Sequence, residues 1–278
     1  MNHEWLLPSN TRIVGQGAGT TLQPQTSQWN GYADNSNAII EMGATAGSTG
    51  VVIEHLGLDG TELVENQSLG LSGIYNANAQ DASYVDDVVL YHIGSASGQT
   101  STATGLFVGP NAKNSGPYSN INFEANTYCT ANTGNCTSTN PCTCVPTACV
   151  KIQAPTRGLH GITCTARSVG SFVPAPPAAA IYLDANDNTI EDVHVEGFYD
   201  AVVVGDNADG ENGTVAANTL ANVVGGYGRG PVRNTVHICN PQFSSLPRCS
   251  ASGPSSYVRS VMLTDERLSP LPAQAGQG

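Results

Sequence analysis

Seven segments of the chain share one arrangement of apolar and other positions, apolar-x-x-apolar-x-apolar. They are IEHLGL from Ile53, VDDVVL from Val85, YSNINF from Tyr118, LHGITC from Leu159, IEDVHV from Ile190, LANVVG from Leu220 and VRSVML from Val258, and they recur every 30 to 41 residues. A shorter pattern, small-apolar-x-apolar, precedes all but the first of them: GIYN at Gly73, GLFV at Gly105, CVKI at Cys149, AIYL at Ala180, AVVV at Ala201 and TVHI at Thr235. AIIE at Ala38 fills that place ahead of Ile53 but ends in a charge. Each repeat therefore predicts two short strands between Gly, Asn, Asp or Pro turns, and strands recurring at a fixed period of this length predict a solenoid. No helical pattern lies between the strands, which excludes a leucine-rich horseshoe and the Rossmann and TIM arrangements. A propeller blade needs about 40 residues or more. What remains is an all-β, single-stranded parallel β-helix of about seven to eight coils, in which each repeat is one coil sharing its apolar interior with its neighbours. One domain then spans residues 1–278, with a Cys-rich insertion at 126–148, a second insertion at 239–256 and a C-terminal tail at 265–278.

The opening stretch LPSNTRIVGQGAGTTL sets three glycines, Gly15, Gly17 and Gly19, directly after Ile13 and Val14. A phosphate-cradling loop needs a helix after it, because the helix N-terminus supplies the N–H groups and the dipole that hold the anion. The segment after these glycines contains Pro24, no helical apolar period and no basic residue, and the third glycine of a dinucleotide fingerprint is replaced by Thr20. The glycines fit a tight corner instead.

Composition supports a turn-rich chain with few surface helices: 31 Gly, 16 Pro and 12% charged residues, with lysine only at Lys113 and Lys151. A net charge of −12 argues against nucleic acid as a partner, since that affinity rests on Lys and Arg neutralising phosphates. No apolar run approaches a membrane span, and no charged-then-apolar signal precedes Trp5. Of eight cysteines, Cys129, Cys136, Cys142, Cys144 and Cys149 crowd one polar run, while Cys164, Cys239 and Cys249 stand apart. The run reads as a disulfide-stapled loop or a metal knuckle. Without a C-x-x-C pair at zinc-finger spacing or a histidine in the run, disulfides and an oxidising compartment are favoured, with the pairing open.

The opening stretch, with the coils GVVIEHLGLDG and NTIEDVHVEGF, resembles the right-handed parallel β-helix proteins of the pectate lyase and polygalacturonase-like superfamily over nearly the whole chain. The resemblance implies a right-handed helix, and it makes the glycines the corner of an early coil, where a missing Cβ permits positive φ. In relatives a capping region and an earlier strand precede this segment, so the first coil is expected to be short. It also implies a secreted or extracellular protein acting on a polysaccharide, pectin-like or otherwise uronate-containing, by lyase or hydrolase chemistry. The fold equally carries adhesins and tailspikes.

Equivalent positions of stacked coils lie about 4.8 Å apart, so outward residues form columns. The first strands give Tyr75, Phe107, Lys151, Tyr182, Val203 and His237, of which Tyr75, Phe107, Lys151, Tyr182 and His237 are candidate substrate-binding residues. Rings there can stack on sugar faces and Lys151 can meet a uronate carboxylate, or the column is covered packing that stabilises its sheet. The second strands give three outward columns, beginning at His55, Gly57 and Asp59 and ending at Ser260, Met262 and Thr264. Only DVHVE sets three titratable groups, Asp192, His194 and Glu196, at period 2. Alternate strand residues stand about 7 Å apart, which sets His194 at that distance from each of the two carboxylates and makes these three the candidate catalytic residues. A solvated polar face is the plainer reading, and His55, His92 and His160 carry less weight still.

The family's motifs are imperfect here. GLHGIT offers His160, Gly161 and Ile162 but has Leu159 before the histidine. The basic VKI at Lys151 comes before this segment instead of after it, and Asp86 and Asp87 lack their glycine context. A calcium-dependent lyase would need clustered acids and a base. Asp184, Asp187, Asp206 and Asp209 are turn acids and Arg157, Arg167 and Lys151 candidate bases, so Ca²⁺ stands as a candidate cofactor with no ligand set assigned. Two classes stay open, a secreted polysaccharide lyase or hydrolase and a non-catalytic carbohydrate-binding, adhesin-like or tailspike-like surface protein. Asn66, Asn135 and Asn212 head glycosylation sequons.

Overall fold

The structure is a computed structural model that describes residues 3–25, 38–60, 70–95, 104–127, 148–168, 179–196, 198, 200–204, 218–226, 234–238 and 258–263. Most of both insertions, the tail, Asp206, Asp209 and the three sequons lie outside the described residues, as do the side chains of Arg167 and His237. Seventeen strands run in chain order: β1 (Trp5–Leu7), β2 (Arg12–Val14), β3 (Thr21–Leu22), β4 (Ala38–Met42), β5 (Val52–Asp59), β6 (Gly70–Asn76), β7 (Tyr84–Ser95), β8 (Thr104–Val108), β9 (Tyr118–Thr127), β10 (Ala148–Ile152), β11 (Leu159–Ser168), β12 (Ala179–Leu183), β13 (Thr189–Glu196), β14 (Asp200–Val204), β15 (Asn218–Gly226), β16 (Asn234–Ile238) and β17 (Val258–Leu263). The described residues contain no helix.

The strands stack as a parallel β-solenoid. One column pairs β1, β4, β6, β8, β10, β12, β14 and β16 in sequence, and the other pairs β2 and β3 with β5, then β7, β9, β11, β13, β15 and β17. The only antiparallel pairing among the described residues joins the start of β6 to the end of β7. The chain passes from a strand of the first column to a strand of the second in every coil, which is the two-strand repeat expected from the pattern.

Register supports the repeat frame with two corrections. Ile53, Val85, Tyr118, Leu159, Ile190 and Leu220 occupy one level of successive coils. In the last coil, however, Leu220 pairs with Val261 and not with Val258, because the ladder shifts twice along β15 and β17. Ser260 and Met262 therefore pair with Thr219 and Ala221 and leave the columns assigned to them. In the first column, Ile40, Glu41 and Met42 pair with Ile74, Tyr75 and Asn76, so the repeat in β4 begins at Ile39 and the frame AIIE is one residue out. The charge that ends that frame, Glu41, is in register with Tyr75 and is only 3% exposed.

The two consecutive x positions of the second pattern have a backbone cause. His55, Asp87, Asn120, Gly161, Asp192 and Asn222 all have positive φ, between 50° and 63°, and the residues flanking them stay in register from coil to coil. A left-handed residue turns each long strand, so one more residue passes between inward positions than strict alternation allows. Asn, Asp and Gly tolerate this region best, and they fill most of the column. In the first coil the corner expands to the loop 15–20 between β2 and β3. Gly15 N–H donates to the Glu54 carbonyl and Gly17 N–H to the His55 carbonyl, at 2.9 and 2.8 Å. A Cβ at Gly15 would overlap the His55 carbonyl, and Gly17 has φ +95°, so these two glycines are required by close approach and by handedness.

The interior is filled from both columns. Ile74, Leu106, Val150, Ile181 and Val202 face Val88, Ile121, Ile162, Val193 and their neighbours in one continuous core. The small residue that opens the shorter pattern also faces inward, since a Cβ at Gly105 would lie 2.5 Å from the ring of Phe123. At the same level of the next coil the small position and the large one are Cys149 and Cys164, which form a disulfide with Cα atoms 5.9 Å apart. The corner from the first column to the second carries a buried amide ladder. Thr156 donates its N–H and its hydroxyl to Asn188 Oδ1, at 2.9 and 2.7 Å, Asn188 N–H donates to Asn218 Oδ1, and Asn218 Nδ2 donates to the Ala185 carbonyl. Asn188→Ala orphans the Thr156 N–H, so a loss of about 1–3 kcal/mol is expected in urea unfolding. Asn188→Ser should recover little of it, its side chain being too short to reach.

Candidate functional site

The outer face of the second column over β9, β11 and β13 is polar and in register. Asn122, Thr163 and His194 stack at one level, and Glu124, Thr165 and Glu196 at the next. Val193 and Val195 alternate with His194 and Glu196 and are buried, which fixes those two outward. His194 is exposed and Glu196 half-buried. Asp192 sits differently: at φ 56° it is a corner residue, so straight period-2 spacing applies to His194 and Glu196 but does not carry across to Asp192. Its Oδ1 accepts a hydrogen bond from Asn222 Nδ2 at 2.9 Å. Asp192 is exposed beside this face.

The column Tyr75, Phe107, Lys151, Tyr182, Val203 and His237 is continuous in register, and Glu41 extends it toward the N-terminus. Tyr75 stacks on Phe107 with centroids 4.9 Å apart, and Lys151 Nζ lies 5.4 Å from the centre of the Phe107 ring. This is a ladder of mutual contacts more than an open row. Lys151 is only 8% exposed and Val203 is buried, while Tyr75, Phe107 and Tyr182 are half-buried. Packed over the Phe107 ring, the lysine ammonium is largely shielded from solvent.

A third assembly, of which the sequence pattern singles out His55, Asp86 and Asp87 but not Arg12, Glu54 or Tyr84, lies at the left-handed corner of β2, β5, β7 and β9. Glu54 is 4% exposed and takes both guanidinium contacts of Arg12, at 3.3 and 2.8 Å, together with the hydroxyl of Tyr84. The Arg12 and Tyr84 hydrogen bonds hold the Glu54 carboxyl below the usual carboxylate range, while the Glu54 hydrogen bond and burial push the Tyr84 phenol up. His55 Nδ1 lies 2.7 Å from Asp87 Oδ2, and that hydrogen bond raises the imidazole above its ordinary value. Asp86 Oδ1 accepts from Ser119 Oγ and Asn120 Nδ2 at 2.7 and 2.9 Å. The signal in the sequence was the acid-and-His content of the x-x positions, which alignment by apolar residues passes over.

The remaining motif residues are scattered or engaged. His160 Nδ1 lies 3.3 Å from Glu191 of the next coil, and Arg157 donates to Asp81 at 2.9 Å. Asp184 and Asp187 are turn residues, and among the described residues no group of three or more His, Cys, Asp or Glu side chains is placed to hold a metal ion. No helix among them is long and apolar enough to cross a membrane. Comparison with protein-family models, curated proteins and solved structures found no match. What stands is the fold: this chain is a parallel β-solenoid.

Proposed function

We propose that this chain is a carbohydrate-active β-helix protein, similar to the pectate lyase and polygalacturonase-like group, that lays a polysaccharide across the outer face of β9, β11 and β13 and cleaves it. The observation that carries this reading is the pair of polar levels Asn122–Thr163–His194 and Glu124–Thr165–Glu196, which repeat hydroxyl, amide and carboxylate groups at the coil spacing. Such a face suits an extended glycan, whose hydroxyls also repeat along its length. Asp192 and Glu196 are the carboxylates of a hydrolytic step, one on each side of His194 along β13, with His194 placed to share a proton. The buried disulfide supports an oxidising, extracellular setting. Burial of Lys151 favours hydrolysis over uronate β-elimination. A second reading, a non-catalytic carbohydrate-binding surface protein, draws on the Asp192 carboxylate being already engaged by Asn222.

The test is to incubate the oxidised protein with a panel of neutral and uronate polysaccharides, with and without added calcium, and to follow reducing ends together with the ultraviolet absorbance of unsaturated uronides. New ends without absorbance are expected, and D192N and E196Q should each lower that rate at least about a hundredfold. Absorbance rising with the ends would replace hydrolysis by elimination. Binding without new ends on any polysaccharide would establish the second reading.

A further inference from the structure

The strands β5 and β7 exchange two side-chain pairs that cross in opposite directions. His55 of β5 meets Asp87 of β7 at 2.7 Å, and His92 of β7 meets Asp59 of β5 at 2.9 Å. Between the two pairs the strands stay in parallel register from Leu56↔Val88 to Asp59↔Tyr91, so this ladder segment is bracketed at both ends by an imidazole and a carboxylate. Both histidines have positive φ, 54° and 52°, and each stands where its strand turns.

The surroundings of His55 are unusually anionic. Besides Asp87, its Nε2 lies 3.9 Å from Glu54, and Asp86 adds a further attraction. From β2 comes Arg12, which is spent on Glu54, and from β7 the Tyr84 hydroxyl, donated to the same carboxylate. From β9 come Ser119 and Asn120, both bound to Asp86. At the other end, Gln23 reaches Asp59 at 3.5 Å, and the Tyr91 ring lies 6.4 Å from that of His92. Of the three carboxylates, Glu54 and Asp86 thus have their own donors, and Asp87 is met by His55.

We propose that the β5–β7 junction is a proton-dependent clamp: the charged imidazole of His55 ties Asp87 of the next coil, and loss of that proton loosens the two coils at their corner. The neutral ring keeps a hydrogen bond but gives up its attraction to three carboxylates. The hydrogen bond to Asp87 holds His55 above its ordinary value. The stability it contributes is therefore complete below the unfolded imidazole value of about 6.5 and is lost as pH rises through the raised folded value. Glu54 runs the other way. Its lowered value means that its contribution, present above the ordinary carboxylate range, is lost as pH falls through the folded value. The corner is tightest in mildly acidic surroundings, between those two limits.

Hydrogen exchange of the folded protein, corrected for intrinsic rates and followed from about pH 5 to about pH 8, reads the clamp directly. Peptides covering β5 and β7 should lose protection as pH rises, and H55Q should show the lower protection at both ends of the range. If H55Q keeps the pH difference of the unsubstituted protein, or if H92Q and not H55Q abolishes it, the clamp is not at His55. A proton titration of the imidazoles by NMR, done without substitution, guards against a variant that folds poorly. A His55 ring that titrates at or below the ordinary imidazole value overturns the proposal.

Discussion

Phe123→Ala should be among the most damaging single substitutions in this chain, lowering stability by about 3–5 kcal/mol. The ring is fully buried and lies at the level where Leu90, Phe123 and Cys164 succeed one another on β7, β9 and β11. It fills the space left by Gly105 on the opposite strand, so its loss opens a cavity that glycine cannot close. The surrounding strands are held in parallel ladders on both sides and have little freedom to collapse. Gly105→Ala tests the same complementarity from the other side, because its Cβ would stand 2.5 Å from the ring and 2.6 Å from the Cys149 carbonyl. Urea unfolding of Gly105→Ala, of Phe123→Leu and of the two together should give a coupling of about 0.5–3 kcal/mol, the smaller side chain relieving the contact with the ring but not the one with the Cys149 carbonyl. Additive effects would mean that the two positions do not share one space.

Replacing Cys149 and Cys164 together by alanine should cost about 3 kcal/mol. The bond closes a sequence separation of 15 residues, and most of its contribution comes from restricting the unfolded chain. It ties β10 to β11 within one coil, at the place where other coils set a small residue against a large one. Urea titrations of the double variant and of the unsubstituted protein under reducing and oxidising conditions measure the effect. Both sulfurs are buried, so reductant should act through the unfolded state and shift the midpoint only slowly.

The architecture could be read from the spacing of a few residue types, because a solenoid repeats one local rule and every coil restates it. Where the rule is altered, the reading slips. Glu41 broke the apolar rhythm of the first column and moved the frame by one residue, since a carboxylate looks like the end of a strand although β4 runs on to Met42. The last coil slipped because its ladder shifts, and apolar matching cannot see a shift. The candidate site was less legible. His194 and Glu196 were placed on one face correctly, but the turn at Asp192 depends on a backbone angle that hydrophobic periodicity does not encode. The residue types at the six corner positions did carry that information, because His, Asp, Asn and Gly recurring at one place in every coil mark a left-handed position more surely than a face. The Glu54 network joins Arg12, Glu54 and Tyr84, which come from three coils and share no motif.

The glycine loop between β2 and β3 bears on self-association. A long, flat, unpaired sheet edge recruits strands from other molecules. Here, among the described residues, β2 and β3 pair with β5 on one side only, and the loop at 15–20 divides that edge into pieces of three and two residues. Leu6 and Val14, the large apolar residues most exposed among those described, lie on this same first coil, where an incoming strand would find its footing. Broken edges give such a strand too few consecutive hydrogen bonds to hold. The glycines that make room for the next coil thus also leave β2 and β3 too short, as an edge, to hold another strand.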